Sequence, residues 1–451
     1  MIHSWDLFDT LIGRKCGTAQ RLFEQIGRII EMPSFPEKRR KAEHLLQEQG
    51  AEYSLEDIYR KYKEIDPDFA HADDLAGLEY ELELYNVYSI KRNARHLRNE
   101  DVIVSDMYLS EIQLRRLLVK AGIEFTGRIY VSCYGKHTGE VWGEIQGGII
   151  SHCGDNPRTD IASPVRAGLR TKLANTELSA TEEFYLSISP DLAWWVHQHR
   201  LQNLVDENIT ERLDLLQNQY NIPLLYTACH SLRRYALDQR IEKLLFMSRD
   251  GQLFQRMWAK FYPEIPSEYL YISRECLRGS SIEYFNYLNT RYTKNTALVD
   301  LASSCGSLKI ALPHLSNPAP KIWTMVFLPN FKVDLSGIDM NCAVSNQMVT
   351  INNTWLEMLN YADHWHVADV CIGKPIFDQP NEYSMDAVKK YHALFTAMLS
   401  NMPHTSVPFE AQMYKKILPA IHAEGAFLKR TFPNHLIFEA SRKKYFEKMS
   451  V

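Results

Sequence analysis

WDLFDT, residues 5–10, ends the first apolar run of the chain with two aspartates, Asp6 and Asp9, and a threonine. A carboxylate at the mouth of a buried strand is costly unless a cation or a reaction uses it. HSWDLFDTLI therefore reads as a short buried strand whose end carries a function. Outward from it the pattern changes period. AQRLFEQIGRIIEM (19–32), PEKRRKAEHLLQEQG (36–50), SLEDIYRKYKEI (54–65) and LAGLEYELELYNVYSI (75–90) have helical spacing, with a capping box expected at Ser54. DVIVSDMYLS (101–110), GRIYVSCYGK (127–136) and IISHCGDNPRTD (149–160) read as further strands, and SEIQLRRLLVKAG (110–122) as a glycine-terminated helix. Strands alternating with helices predict an α/β fold with a parallel sheet. The helical block at about residues 14–98 predicts an inserted cap.

The alternation restarts further on. After helical segments at 180–205 and 222–240, IEKLLFMSRDG (241–251), SEYLYISRE (267–275), TALVDLASSCGS (296–307) and KIWTMVFLP (321–329) read as strands. Between them QLFQRMWAKFY (252–262) and LKIALPHL (308–315) read as helices, and the stretch after 340 as mostly helical. A chain of 451 residues is too long for one core. The expectation is two Rossmann-like parallel-sheet domains, 1–178 and 179–451, the second with helical additions.

Bulk properties narrow the function classes. A formal charge of -4 gives no broad nucleic-acid surface, and no run of about 18 apolar residues predicts a membrane span. Acidic residues interrupt MIHSWDLFDTLIGRK, which does not read as a signal peptide. None of the eight cysteines falls in a CxxC pair, so reduced thiols and a cytoplasmic chain are expected.

Ligands of open parallel sheets bind at the carboxyl ends of the strands. Those ends carry Asp6 and Asp9, then Ser105 and Asp106, then Lys136, then Asp155 and Asp160. The set suits phosphoryl transfer: a carboxylate nucleophile, a hydroxyl and an ammonium for phosphate oxygens, and carboxylates for Mg2+.

In order and spacing, DLFDT, VIVSD, YGK and GDNPRTD resemble the four motifs of the haloacid dehalogenase superfamily of phosphatases. The resemblance covers about residues 1–175, and the helical block matches the family's cap position. It implies Asp6 as nucleophile, Ser105 and Lys136 as phosphate-binding groups, and Mg2+ held by Asp6, Asp155 and Asp160. Aligned on Thr10, the usual acid/base position holds Phe8, with Asp9 one residue late. Either Asp9 acts as general acid from a shifted turn, or the site is slow or dead. The family lysine is Lys136, or falls in HTGEVW, where Glu140 stands.

In the second block, Ser248, Arg249, Asp250 and Gly251 form a strand-to-helix turn suited to pyrophosphate. Asp300 ends a strand, and Ala302, Ser303, Ser304, Cys305, Gly306 and Ser307 form a small-residue loop suited to one phosphate. Arg274 and Arg278 stand near another strand end. This order resembles the type I phosphoribosyltransferases over about 240–330, with Leu301 at the family's second acidic position and SSCGS in place of TTGGT. That resemblance implies 5-phosphoribosyl pyrophosphate (PRPP) as donor. His364, Trp365 and His366 in NYADHWHVADV read as a core or acceptor-side helix.

The pairing resembles bacterial two-domain proteins that install ribofuranose in surface polysaccharides such as O antigens. It implies transfer of 5-phosphoribose from PRPP to a lipid-linked or soluble glycan, removal of the 5-phosphate by the first domain, and other glycan-assembly enzymes at the inner membrane surface as partners. Three alternatives stay open: a sugar-phosphate phosphatase with a non-catalytic second module, a nucleotide-sugar glycosyltransferase, and a scaffold with a decayed first site.

Overall fold

The structure, a computed structural model, describes residues 2–67, 72–145, 148–203, 209–279, 281–316, 320–330, 332–345, 353–377, 385–408 and 410–433. Its strands in the first half are β1 (Ile2–Trp5), β2 (Ile12–Arg14), β3 (Val87–Ser89), β4 (Val102–Ser105), β5 (Arg128–Val131), β6 (Ile149–Gly154) and β7 (Arg170–Leu173). Those in the second half are β8 (Lys243–Met247), β9 (Ser267–Leu270), β10 (Thr296–Ser303), β11 (Lys321–Phe327), β12 (Asp339–Ser345), β13 (Val367–Cys371) and β14 (Lys374–Phe377). Two five-stranded sheets result, β5-β4-β1-β6-β7 and β12-β11-β10-β8-β9, all of their pairings parallel. The protein is thus α/β, with two Rossmann-like parallel sheets flanked by helices. Numbered along the chain, the two orders are 3-2-1-4-5 and 2-1-3-4-5, the two doubly wound arrangements.

Side-chain alternation explains why these strands are buried on both faces. Along β4, Ile103 enters the core that contains Leu22, Tyr59 and Leu117, while Val102 and Val104 pack on the opposite face with Val141 and Trp142. In β8, Leu245 and Met247 join Tyr284 and Leu298, while the Phe246 ring lies 5.1 Å from Phe254 on the other side.

The chain divides into two compact units, Met1–Leu204 and Val205–Val451. The helices Ala180–Leu186 and Pro190–Gln202, expected in the second domain, therefore belong to the first unit. Pro190–Gln202 packs on β3 and on the short helix Lys91–Ala94. Four helices, Ala19–Ile29, Phe35–Gln47, Leu55–Ile65 and Ala72–Asn86, stand between β2 and β3 as the cap insertion. The Ser54 hydroxyl accepts from the Asp57 amide and the Asp57 carboxylate accepts from the Ser54 amide, completing the capping box.

Several elements differ from the sequence reading, β12 among them: it pairs parallel with β11 where the chain reads as mixed and mostly helical. Val87–Ser89, read as the end of a helix, is a strand antiparallel to β2 and closes the base of the cap. The edge strand β7 has the sequence RTKL and too little apolar patterning to be read as a strand. NYADHWHVADV is not a helix: residues 360–366 are irregular and lead into β13, which pairs antiparallel with β14.

Candidate active site

β1 lies between β4 and β6, and the strand order reverses there, so the carboxyl end of β1 opens into the crevice of the first sheet. The Asp6 amide donates to the Cys153 carbonyl at 2.8 Å, fixing the first residue after β1 against the end of β6. Asp6, Asp155 and Asp160 each bring a carboxylate oxygen to within 4.8 Å of the others, and Asp6 and Asp160 are buried. Lys136 is fully buried. Its ammonium donates to Asp6 and pairs with Asp160 at 2.8 Å, and it also donates to the Val104 carbonyl at 3.3 Å. The structure thus brings Lys136 to the site, while Glu140 is exposed at the start of the short helix Val141–Glu144. Ser105 is buried at the end of β4, and Asp106 follows it at the crevice.

Asp160 is held from several sides. The Asn156 amide donates to Oδ2 at 2.9 Å, and His152 Nε2 meets Oδ1 at 3.1 Å. His152 Nδ1 in turn lies 2.9 Å from the Ser4 hydroxyl. Burial favours the neutral ring, which donates from Nε2 to the carboxylate. Gly154 makes the approach possible, because a Cβ there would lie 2.3 Å from Asp160 Cγ.

The electrostatics follow from several acids sharing one buried cation. Burial pushes Asp6 well above the usual carboxylate range; Lys136 opposes this, and Asp160, Asp106 and Asp155 add to it. Burial, then Asp9 and Asp160, push Asp155 up to about 7. Asp160 is also desolvated, but His152 and Lys136 outweigh burial and hold it down at about 2.

Three crowded oxygen donors beside one lysine fit a hard divalent cation, which would relieve their repulsion. A cation bound there would displace the proton that Asp155 carries below about pH 7. The affinity for Mg2+ or Mn2+ is therefore expected to rise with pH through about 7, by about tenfold per pH unit for each proton released. Because this folded-state pKa is raised, the metal-free protein loses stability as pH rises between 3.8 and about 7, and a cation bound to the triad would restore it. Calorimetric titration from pH 5.5 to 8 checks this, and a pH-independent affinity would refute it.

Phe8 and Asp9 have different surroundings. The Phe8 ring is buried under the Arg14 guanidinium, 4.0 Å from its centroid, and Arg14 is itself locked to Glu83. Position 8 is therefore spent on packing. Asp9 adopts a left-handed conformation, φ 54, and its carbonyl accepts from the Thr176 hydroxyl at 2.5 Å. With Asp155 it lines a recess of about 220 Å³ that also includes Tyr88, Trp194 and His197. Burial raises Asp9, against the pull of Arg14 and His197.

Sequence reasoning missed His152, His197 and Glu182. His197 Nδ1 lies 3.0 Å from Glu182 Oε2, and Arg200 donates to the same carboxylate at 2.7 and 2.9 Å. Despite burial, these donors hold Glu182 down at about 2, so it stays ionised. The available signal was WWVHQHR, where Trp194 and His197 stand three apart on one helical face.

In the second unit, β8 and β10 are adjacent at the corresponding reversal of strand order. Ser248 joins strand ends: its hydroxyl donates to the Ile272 carbonyl at 2.6 Å and accepts from the Ile272 amide at 2.8 Å. The Arg249 guanidinium lies 4.5 Å from the Tyr361 ring centroid, and its carbonyl accepts from the Tyr269 hydroxyl at 3.2 Å. Asp250 is half-buried, and Gly251 permits the turn, since a Cβ would lie 2.4 Å from the Met247 carbonyl oxygen. Asp300 does not end its strand: β10 continues to Ser303, and Asp300 pairs in register with Thr324. Residues 301–303 keep strand geometry because pairing with β11 continues as far as Ser303 opposite Phe327. The loop proper is Ser304 and Cys305, the latter with φ 59, before a short helix from Gly306 that includes Ser307. The Cys305 amide donates to the Ser303 hydroxyl at 3.1 Å. Arg274 and Arg278 are exposed on the helix Arg274–Gly279. His364 Nε2 meets the Tyr269 hydroxyl at 2.9 Å and His366 pairs with Glu275 at 3.0 Å, so the two histidines have separate partners.

The fold and the first site together define a two-unit α/β protein with a carboxylate triad, two of its three members buried, and a buried lysine at a switch-point crevice. No protein-family model matches the chain, and no curated protein matches it significantly. No helix among the described residues is long and apolar enough to cross a membrane.

Proposed function

We propose that the first unit is a divalent-cation-dependent phosphohydrolase that works through Asp6. The observation that carries this reading is the convergence of Asp6, Asp155 and Asp160 around one point, with Lys136 bridging Asp6 and Asp160. A cation held by the three carboxylates would neutralise phosphate charge. Asp6 attacks phosphorus and displaces the alcohol, forming an aspartyl-phosphate that water then cleaves. Ser105 and Lys136 hold phosphate oxygens. Lys136, buried and charged, also balances the negative charge that gathers as the nucleophile approaches.

The second unit is proposed to bind a phosphorylated donor. Its Arg249 turn and Cys305 turn flank the β8/β10 crevice, where ligands of such sheets bind. This supports the wider reading of the chain as an enzyme that transfers 5-phosphoribose from PRPP to a glycan and then removes the 5-phosphate. The chain with Mg2+, PRPP and a lipid-linked glycan is expected to release pyrophosphate and inorganic phosphate. Arg249→Ala should release neither from this mixture, while still hydrolysing a simple phosphomonoester. Phosphomonoester hydrolysis with no pyrophosphate release from the unaltered chain would leave the phosphatase alone and overturn the transfer step.

A further inference from the structure

The phosphatase site lacks a carboxylate at position 8, yet an alcohol leaving from phosphorus needs a proton. The recess beside the triad holds a group suited to give one. His197 comes from the helix Pro190–Gln202 and is 7% exposed. Glu182 accepts at its Nδ1, which fixes the ring and leaves Nε2 without a hydrogen-bond partner among the described residues. The same recess is lined by Asp9, Asp155 and Trp194, so the ring shares a cavity with one member of the triad. Trp194 is seated on Gly17, where a Cβ would fall 2.1 Å from its ring, and its ring lies 5.2 Å from that of His197, edge on.

We propose that His197, positioned by Glu182, is the leaving-group acid and hydrolytic base of this site, and that the Trp194 recess receives the leaving sugar alcohol. The inference rests on the phosphohydrolase reading above. As Asp6 bonds to phosphorus, the bond to the ester oxygen breaks, and that oxygen takes the proton from His197 Nε2. In the second half-reaction neutral His197 takes a proton from the water that attacks phosphorus. The bond to Asp6 then breaks, phosphate leaves, and His197 is charged again. Trp194 supplies an apolar face on which a sugar ring can lie, and Tyr88 and Thr176 add polar atoms to the same wall. The charged groups around the imidazole are Glu182, Arg200, whose Nη2 lies 3.3 Å from Nδ1, and, on the walls of the recess, Asp9, Asp155 and Glu177.

The test compares a sugar phosphate with an aryl phosphate, whose leaving phenolate needs no proton. In a single turnover, His197→Gln is expected to slow alcohol release from the sugar phosphate by about 100-fold or more while changing the first-turnover burst of phenolate from the aryl phosphate by less than about threefold; later turnovers of both slow, because water attack on the aspartyl-phosphate also uses His197. The retained phenolate burst also shows that the variant is folded. Asp9→Asn is expected to affect both substrates alike. A leaving-group-dependent loss in Asp9→Asn with none in His197→Gln would assign the proton to Asp9 and overturn the inference. If His197→Gln does not fold, the unaltered protein decides: an alkaline fall in kcat for the sugar phosphate, absent for the aryl phosphate, supports an acid in this role, and matching profiles overturn it. Hydrolysis of neither substrate by the unaltered protein would refute the phosphohydrolase reading itself, a different result from all of these.

Discussion

Asp6→Asn is expected to abolish phosphate release, by at least about a thousandfold, without unfolding the protein. An amide cannot form the acyl-phosphate, and the change removes one oxygen from the three that converge on the cation position. The fold should tolerate it. The main-chain bond from Asp6 to Cys153 is independent of the side chain, and Lys136 keeps Asp160 at 2.8 Å. Burial and three neighbouring carboxylates already oppose ionisation of Asp6. Removing that charge relieves repulsion in the metal-free state, so its melting temperature should stay level or rise. Lost activity with unchanged or raised stability is the mark of a residue kept for chemistry. A large fall in stability would make Asp6 a structural acid.

The second large effect lies in the cap. Arg39 and Glu79 are both fully buried and meet through two bonds of 2.8 Å. The Tyr59 and Tyr108 hydroxyls donate to the same carboxylate at 2.6 and 2.7 Å, and the guanidinium carbon lies 4.7 Å from the Phe23 ring centroid. Burial works against both charges and only their pairing, with these donors, keeps them ionised. Glu79→Leu would leave the guanidinium in an apolar interior with Glu43 as its remaining acidic partner, so a loss of about 3–5 kcal/mol is expected. Arg39→Met combined with Glu79→Leu should recover more than half of it, because the double variant leaves no buried charge. Hydrogen exchange across the helix Phe35–Gln47 reads this within the first unit alone, which avoids mixing the transitions of two units. Equal losses in the single and double variants would mean that packing, not charge, holds the cap.

Legibility followed the range of the information. Asp6, Ser105 and Asp155 were readable because each follows or ends an apolar run, and a parallel sheet delivers such ends to one edge; Asp160 stands five residues after Asp155, in the helical turn Pro157–Ala162. The structure brings the three acids together. Lys136 and Glu140 could not be separated by spacing, since both follow the third apolar strand; three-dimensional packing buries one and exposes the other. Asp300 was misplaced because VDLASS carries no stop signal, and β11 pairs with β10 as far as Ser303. Val87–Ser89 was missed because its apolar residues continue the helical run before it, and pairing with Ile12–Arg14 overrides local propensity. His197 and Glu182 stand on separate helices, so their pairing exists only once both helices pack. The sequence division at 178 set them apart from the site they border.

The central claim is that Asp6 carries the phosphoryl group during turnover. Acid quenching during steady-state hydrolysis of a sugar phosphate with Mg2+, followed by peptide mass mapping, tests it most directly. The account predicts a phosphoryl adduct on Asp6, absent in Asp6→Asn and without Mg2+. An adduct on another residue, or undiminished turnover in Asp6→Asn, would contradict it.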